Sequence, residues 1–96
     1  MAAGAESEWA SPWWVYVIRC GDGSFYCGIA RDVDRRLADH AAGRGARYTR
    51  GRGPLEVVYR EAACDRGWAL RRERAIKRLG RKSKEALVRG GNPDGG

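Results

Sequence analysis

The stretch VYVIRCGDGSFYCG, Val15 to Gly28, sets two apolar runs around a cluster of turn residues. Both runs are rich in β-branched and aromatic residues, and GDGS between them tolerates positive φ, so the segment is read as a β-hairpin. The turn length decides which side chains share a face. With Gly21 to Gly23 as the loop, Cys20 stands opposite Ser24 and Ile18 opposite Tyr26, and Tyr16 becomes a diagonal neighbour of Tyr26 within aromatic reach. With a loop one residue longer, the two rings fall on opposite faces. Both options are open to the sequence, and only the first lets the two phenols act together.

The rest of the chain supplies partners for that hairpin. RDVDRRLADHAAGRG is a helix, capped by Asp32 and stopped at Gly43. At about 100° per residue Val33, Leu37 and Ala41 make its apolar stripe, with Arg36 and His40 along one edge and Arg35 pointing to water. GRGARYTRGRGP is a basic, Gly-rich loop carrying Arg44, Arg47, Tyr48, Arg50 and Arg52. LEVVYRE is a third strand, with Pro54 just before it. CDRGWALRRERAIKRL is a second helix capped by Asp65, and KSKEALVR a third beyond Gly80. The expected fold is α/β in the broad sense (α+β): a small three-stranded mixed sheet flanked by helices, in the order β-β-α-β-α-α.

A chain of 96 residues is one domain, and one this short buries only roughly 60% of its unfolded surface. Residues 1–10 and 90–96 carry no hydrophobic period and are expected to be frayed, which leaves 11–89 as the folded domain. No stretch is apolar enough for a membrane span and the start lacks a signal-peptide layout, so a soluble, cytoplasmic protein without membrane association is expected. Cys20, Cys27 and Cys64 form no CxxC pair and are not in zinc-ligand spacing with His40, which implies reduced thiols. Lys and Arg number 19 against 12 acidic residues, with a pI near 9.9. Arginine dominates, and its planar fork suits phosphate; a small domain this basic points to nucleic acid. Arg71, Arg72, Arg74, Arg78, Arg81, Lys82 and Lys84 extend the charge over the later helices.

One residue conflicts with its surroundings. On the second helix Ala69, Leu70, Ile76 and Leu79 mark the inward side, and Glu73 projects between Ala69 and Leu70. A carboxylate there is costly unless paired, protonated or bound to a cation. Two readings stand: an ion pair with Lys77 one turn on, or a ligand for a hard divalent cation at the lip of a cleft.

Together these residues resemble the GIY-YIG nuclease family in its compact single-domain bacterial form, similar also to structure-specific nuclease subunits. WWVYVIRC stands where the family has its first triplet, with Trp14 and Val15 in place of glycine and isoleucine, and YCG, Tyr26 to Gly28, where it has the second. YCGIARDVDRRLADH resembles the run leading to the helix that bears the arginine, and GARYTRGRGPLEVVYRE and ALRRERAIKRL resemble later segments. The resemblance spans roughly residues 13 to 89.

It implies an endonuclease that nicks DNA with one divalent cation, Mg²⁺ or Mn²⁺, leaving a 5′-phosphate and a 3′-hydroxyl, in DNA repair or processing. Glu73 would bind the metal. Tyr16 would act as general base or position the water, Tyr26 would hydrogen-bond a phosphate oxygen, and Arg36 would offset charge on the scissile phosphate. Gly28 would let backbone approach closely, and His40 would touch phosphate or a tyrosine. Arg44, Arg47, Tyr48, Arg50 and Arg52 suit backbone tracking and base stacking. Single-stranded or branched DNA is the expected substrate, with RNA open and a protein partner supplying specificity. The rival readings are a non-catalytic nucleic-acid-binding module of the same fold and a subunit whose basic face docks an acidic protein.

Overall fold

The computed structural model describes residues 13–90; the expected frayed segments, Gly90 aside, lie outside the described residues. The elements are β1 (Trp13–Arg19), β2 (Phe25–Ala30), α1 (Val33–Ala41), a 3-10 turn (Arg47–Thr49), β3 (Glu56–Ala63), α2 (Arg66–Lys77) and α3 (Arg81–Gly90). The α+β class and the β-β-α-β-α-α order are those read from the sequence.

The sheet differs in one respect. Its strand order is β2-β1-β3, and both neighbours run antiparallel to β1, so it is wholly antiparallel rather than mixed. The path of the chain explains this. β2 ends beside Trp14; α1 and the basic loop then return the chain to the hairpin turn, where the Gly21 N–H donates to the Arg52 carbonyl. β3 therefore starts opposite Arg19 and runs back to Trp13. It shares its direction with β2, but β1 lies between them.

The hairpin takes its shorter loop. Cys20 N–H donates to Ser24 O at 2.8 Å, and Ile18 stands opposite Tyr26. Alternation along β1 then splits the core. Val15 and Val17 pack with Cys27, Tyr59, Ala69 and Ile76 under α2, and Tyr16, Ile18 and Cys20 pack with Ala30 and Val33 on the α1 face. A bulge in β3 at Val58 keeps this sorting, because Tyr59 stands opposite Val17 and Val57 opposite Ile18.

Both predicted caps are present: Asp32 accepts from Arg35 N–H at 3.0 Å and Asp65 from Trp68 N–H at 2.8 Å. Gly43, with φ +82°, lies just past α1 in the left-handed region that a helix stop uses. α2 is tied to β3 by Arg72, which donates to Glu61 through Nε at 2.6 Å and a terminal nitrogen at 3.0 Å, while Tyr59 also donates to that carboxylate. The three cysteines are free thiols, Cys20 and Cys27 buried and Cys64 exposed.

Candidate active site

The hairpin register places Tyr16 opposite Gly28 and leaves the Tyr26 ring diagonal to it, with centroids 6.5 Å apart and the rings tilted by 48°. Gly28 is what makes room for this. A Cβ built there would lie 2.6 Å from the Tyr16 Oη and 2.8 Å from Cζ. The space is filled by the Tyr16 phenol, so Gly28 seats a tyrosine.

His40 is not at the edge of the apolar stripe. It is 1% exposed, whereas Ala41 faces solvent, so the inward residues of α1 are Val33, Leu37 and His40. The residues after the helix create the seat. The Ala46 N–H donates to His40 Nδ1 at 3.1 Å, and the Thr49 hydroxyl lies 3.0 Å from the same nitrogen while 2.9 Å from the Ala46 carbonyl. A nitrogen that accepts from a backbone N–H carries no proton itself, so the ring proton is on Nε2. Nε2 is 3.0 Å from the Tyr16 hydroxyl. His40 thus donates to Tyr16. Burial, reinforced by Arg36, lowers the imidazole pKa and keeps the ring neutral.

The phenols are hard to ionise. Burial, with the neighbouring Tyr26, pushes Tyr16 up to about 12, although Arg36 beside it pulls the other way. Burial also raises Tyr26, with Lys77 and Arg36 opposing and Glu73 adding to the rise. Arg36 is only loosely engaged, 3.8 Å from Asp39, with its side chain 40% exposed. It is held at the rim of the tyrosine pair and remains open to an anion. Arg35 is exposed, as its place on the helix predicts.

Glu73 comes from the opposite face of the sheet. α2 packs through Ala69 and Ile76 on the Val15–Val17 side, yet Glu73 and Lys77 both act electrostatically on Tyr26. The site therefore wraps the outer edge of β2, with Tyr16, His40 and Arg36 from one face and Glu73 from the other. The Glu73 carboxylate is 16% exposed and pairs with the Lys77 ammonium at 3.2 Å, the first of the two readings open to the sequence. No cluster of three or more His, Cys, Asp or Glu forms among the described residues. Mg²⁺ takes one or two carboxylates together with substrate phosphates and water. A single carboxylate beside a phosphate-binding arginine has the donor chemistry for such a shared site. Lys77 is half exposed, so its long stem lets the ammonium swing into water and leave the carboxylate to a divalent ion.

The basic loop divides. Arg44 pairs with Asp39 at 3.4 Å and Arg52 with Asp22 at 2.5 Å, which pins the loop to the helix and to the hairpin turn. Arg47 and Arg50 are exposed and form no ion pair among the described residues. Tyr48 is stacked on Tyr26 with centroids 6.0 Å apart, and the Arg52 guanidinium covers its ring at 4.3 Å. With both neighbours in place Tyr48 buttresses Tyr26, and 40% of its surface stays exposed. The residues that sequence reasoning missed are Ala46 and Thr49, which orient His40, and Gly45, where a Cβ would meet the imidazole at 2.1 Å. The glycine so soon after a lone histidine was the available signal.

No helix among the described residues is long and apolar enough to cross a membrane. Comparison with known proteins identifies relatives of the chain. A model of the GIY-YIG catalytic domain matches residues 12–86. A UPF0213 protein of Vibrio cholerae is 49% identical over 85 residues, covering 88% of this chain and 84% of that one. A UPF0213 protein of Halobacterium salinarum is 52% identical over 73 residues, covering 76% and 95%. The solution structure of a UPF0213 protein from Bacillus halodurans superposes with a TM-score of 0.54 at 46% identity, over 86% of this chain and 89% of that one. With a family match over nearly all the described residues and relatives about half identical over most of their length, the chain belongs to the GIY-YIG catalytic-domain family.

Proposed function

We propose that the protein is a divalent-metal-dependent endonuclease that nicks DNA, with single-stranded or branched DNA as its substrate. The observation that supports this reading is the cluster of Tyr16, Tyr26, His40 and Arg36 at the β2 edge, with the Glu73 carboxylate acting on Tyr26 from the other face of the sheet. A module that only binds polyanions gains nothing from turning Glu73 toward them, since a carboxylate repels phosphate unless a cation lies between.

Glu73 would hold the divalent ion together with substrate oxygens. When bound, that ion supplies Lewis acidity and neutralises phosphate charge. Arg36 binds a non-bridging oxygen of the scissile phosphate and offsets the charge that grows there. Tyr26, kept protonated by burial, donates its O–H to another oxygen. Tyr16 orients the attacking water; the hydrogen bond from His40 Nε2 and the field of Arg36 both favour its phenolate, which takes the proton of that water. The oxygen of water bonds to phosphorus as the P–O3′ bond breaks, and the departing 3′ oxygen takes up a proton. The products are a 5′-phosphate and a 3′-hydroxyl.

The Glu73–Lys77 pair favours a second reading, a non-catalytic nucleic-acid-binding module in which Lys77 permanently neutralises the carboxylate. A panel of labelled single-stranded, duplex, flap and RNA substrates with Mg²⁺, Mn²⁺ or EDTA separates the two. Cleavage that EDTA abolishes supports the nuclease; binding without cleavage in either metal supports the module. A protein partner that directs this small domain to particular DNA, in repair or processing, fits the nuclease reading.

A further inference from the structure

Beside the tyrosine pair, on the α2 side of the β2 edge, lies a cavity of about 230 Å³ whose walls include Phe25, Tyr26, Tyr48 and Ile76 and whose lining also includes Lys77 and Lys84. It is smaller than the roughly 300–1,000 Å³ of sites for extended ligands and far larger than the roughly 30 Å³ of one water. An apolar, aromatic slot of this size takes a single flat ring. Lys77 and Lys84 place two ammonium groups in its lining, so the ring it takes carries, or adjoins, an anion. Lys84 forms no ion pair among the described residues.

The cavity shares Tyr26 with the phosphate-binding cluster and Lys77 with Glu73. We propose that it receives one unstacked nucleobase, that of a nucleotide adjoining the scissile phosphate, while Lys77 and Lys84 hold the neighbouring backbone phosphate. This rests on the nuclease reading for the position of the scissile phosphate and narrows its substrate class. A base seated between aromatic side chains and α2 cannot stay stacked and paired in a duplex. The cleaved strand is therefore unpaired at that nucleotide, as in single strands, flaps and junctions.

The test needs no cleavage. In EDTA, binding of a fluorescent oligothymidine is compared with that of an abasic deoxyribose-phosphate strand of the same length, so that phosphates are equal and only bases differ. The proposal expects oligothymidine to bind about tenfold more tightly, the usual size of a base–aromatic contact. Phe25→Leu, which keeps an apolar wall but removes the ring, should shrink that difference to within about threefold, with an unchanged thermal midpoint showing that the fold is retained. Lys84→Ala should weaken both strands alike and flatten the salt slope by the share of roughly one neutralised phosphate. Equal affinity for the two strands, or a preference untouched in a folded Phe25→Leu variant, overturns the cavity as a base site. Failure of the nuclease reading would show separately, as absent cleavage in Mg²⁺ and Mn²⁺ with base preference retained.

Discussion

The hydroxyl of Tyr16 lies 3.0 Å from Nε2 of His40, 24 residues away in sequence, and the direction of that hydrogen bond is set from outside the pair. Because the Ala46 N–H occupies Nδ1, the imidazole proton faces the phenol. His40 thereby holds the tyrosine and biases it toward giving up its own proton.

Removing either support should cost stability. His40→Ala leaves the Ala46 N–H, the Thr49 hydroxyl and the Tyr16 phenol without their shared partner. Buried groups stranded in this way cost about 1–3 kcal/mol, and each kcal/mol lowers the midpoint of a domain this size by about 4–8 °C. Thr49→Val should cost less, since the backbone N–H still fixes the ring. Thermal unfolding followed by circular dichroism reads both values; an unchanged midpoint for His40→Ala would contradict the buried network.

The raised pKa of Tyr16 fixes the sign of the pH dependence. Since burial holds the phenol near 12 in the free chain, the base form is scarce at pH 7 and grows as pH rises. Single-turnover cleavage should accelerate by about tenfold per pH unit across neutral to mildly alkaline pH, and Tyr16→Phe should remove the slope along with most of the rate. A flat profile in the wild type would restrict Tyr16 to positioning the water.

Arg36 and Arg35 are neighbours in sequence with opposite surroundings. Arg36 flanks the tyrosine pair and Arg35 faces solvent. Arg36→Ala should slow cleavage by roughly 10²–10³, the usual loss on removing a donor aimed at developing charge, and Arg35→Ala by less than about threefold. Equal losses in single-turnover rates would mean that the guanidinium serves general attraction only.

Within the basic loop the unpaired arginines are the ones that should matter for binding. Arg47→Ala combined with Arg50→Ala should reduce the salt slope of single-strand binding by up to roughly 0.7 for each phosphate that is no longer neutralised. Arg52→Ala acts differently, since it unpins the loop from Asp22 and uncovers Tyr48, and its effect should appear in the thermal midpoint as well. An unaltered salt slope in the Arg47, Arg50 double variant would remove the loop from the binding surface.

Local chemistry made much of this legible in the sequence. Turn residues and alternation announced the hairpin, Asp32 and Asp65 announced the helix starts, and helical projection exposed Glu73 as out of place. What the sequence withheld depended on groups far along the chain. His40 turns inward, in place of Ala41, only because Gly45, Ala46 and Thr49 fold back over it, and no helix period contains that information. The hairpin loop, whose length decides whether Tyr16 meets Tyr26, is docked on Arg52 and Gly53 far along the chain. The same holds for β3, which could pair on either edge of the hairpin until the return path through α1 fixed where it began.

Glu73 decides between an enzyme and a binding module. Glu73→Gln keeps the size and helix propensity of the side chain while removing its charge, so cleavage of a labelled single strand in Mg²⁺ and binding of the same strand in EDTA can be compared in a folded protein. The nuclease account predicts a loss of cleavage of at least roughly 100-fold with binding equal to or tighter than that of the unsubstituted protein. Cleavage that persists at the original rate would contradict it.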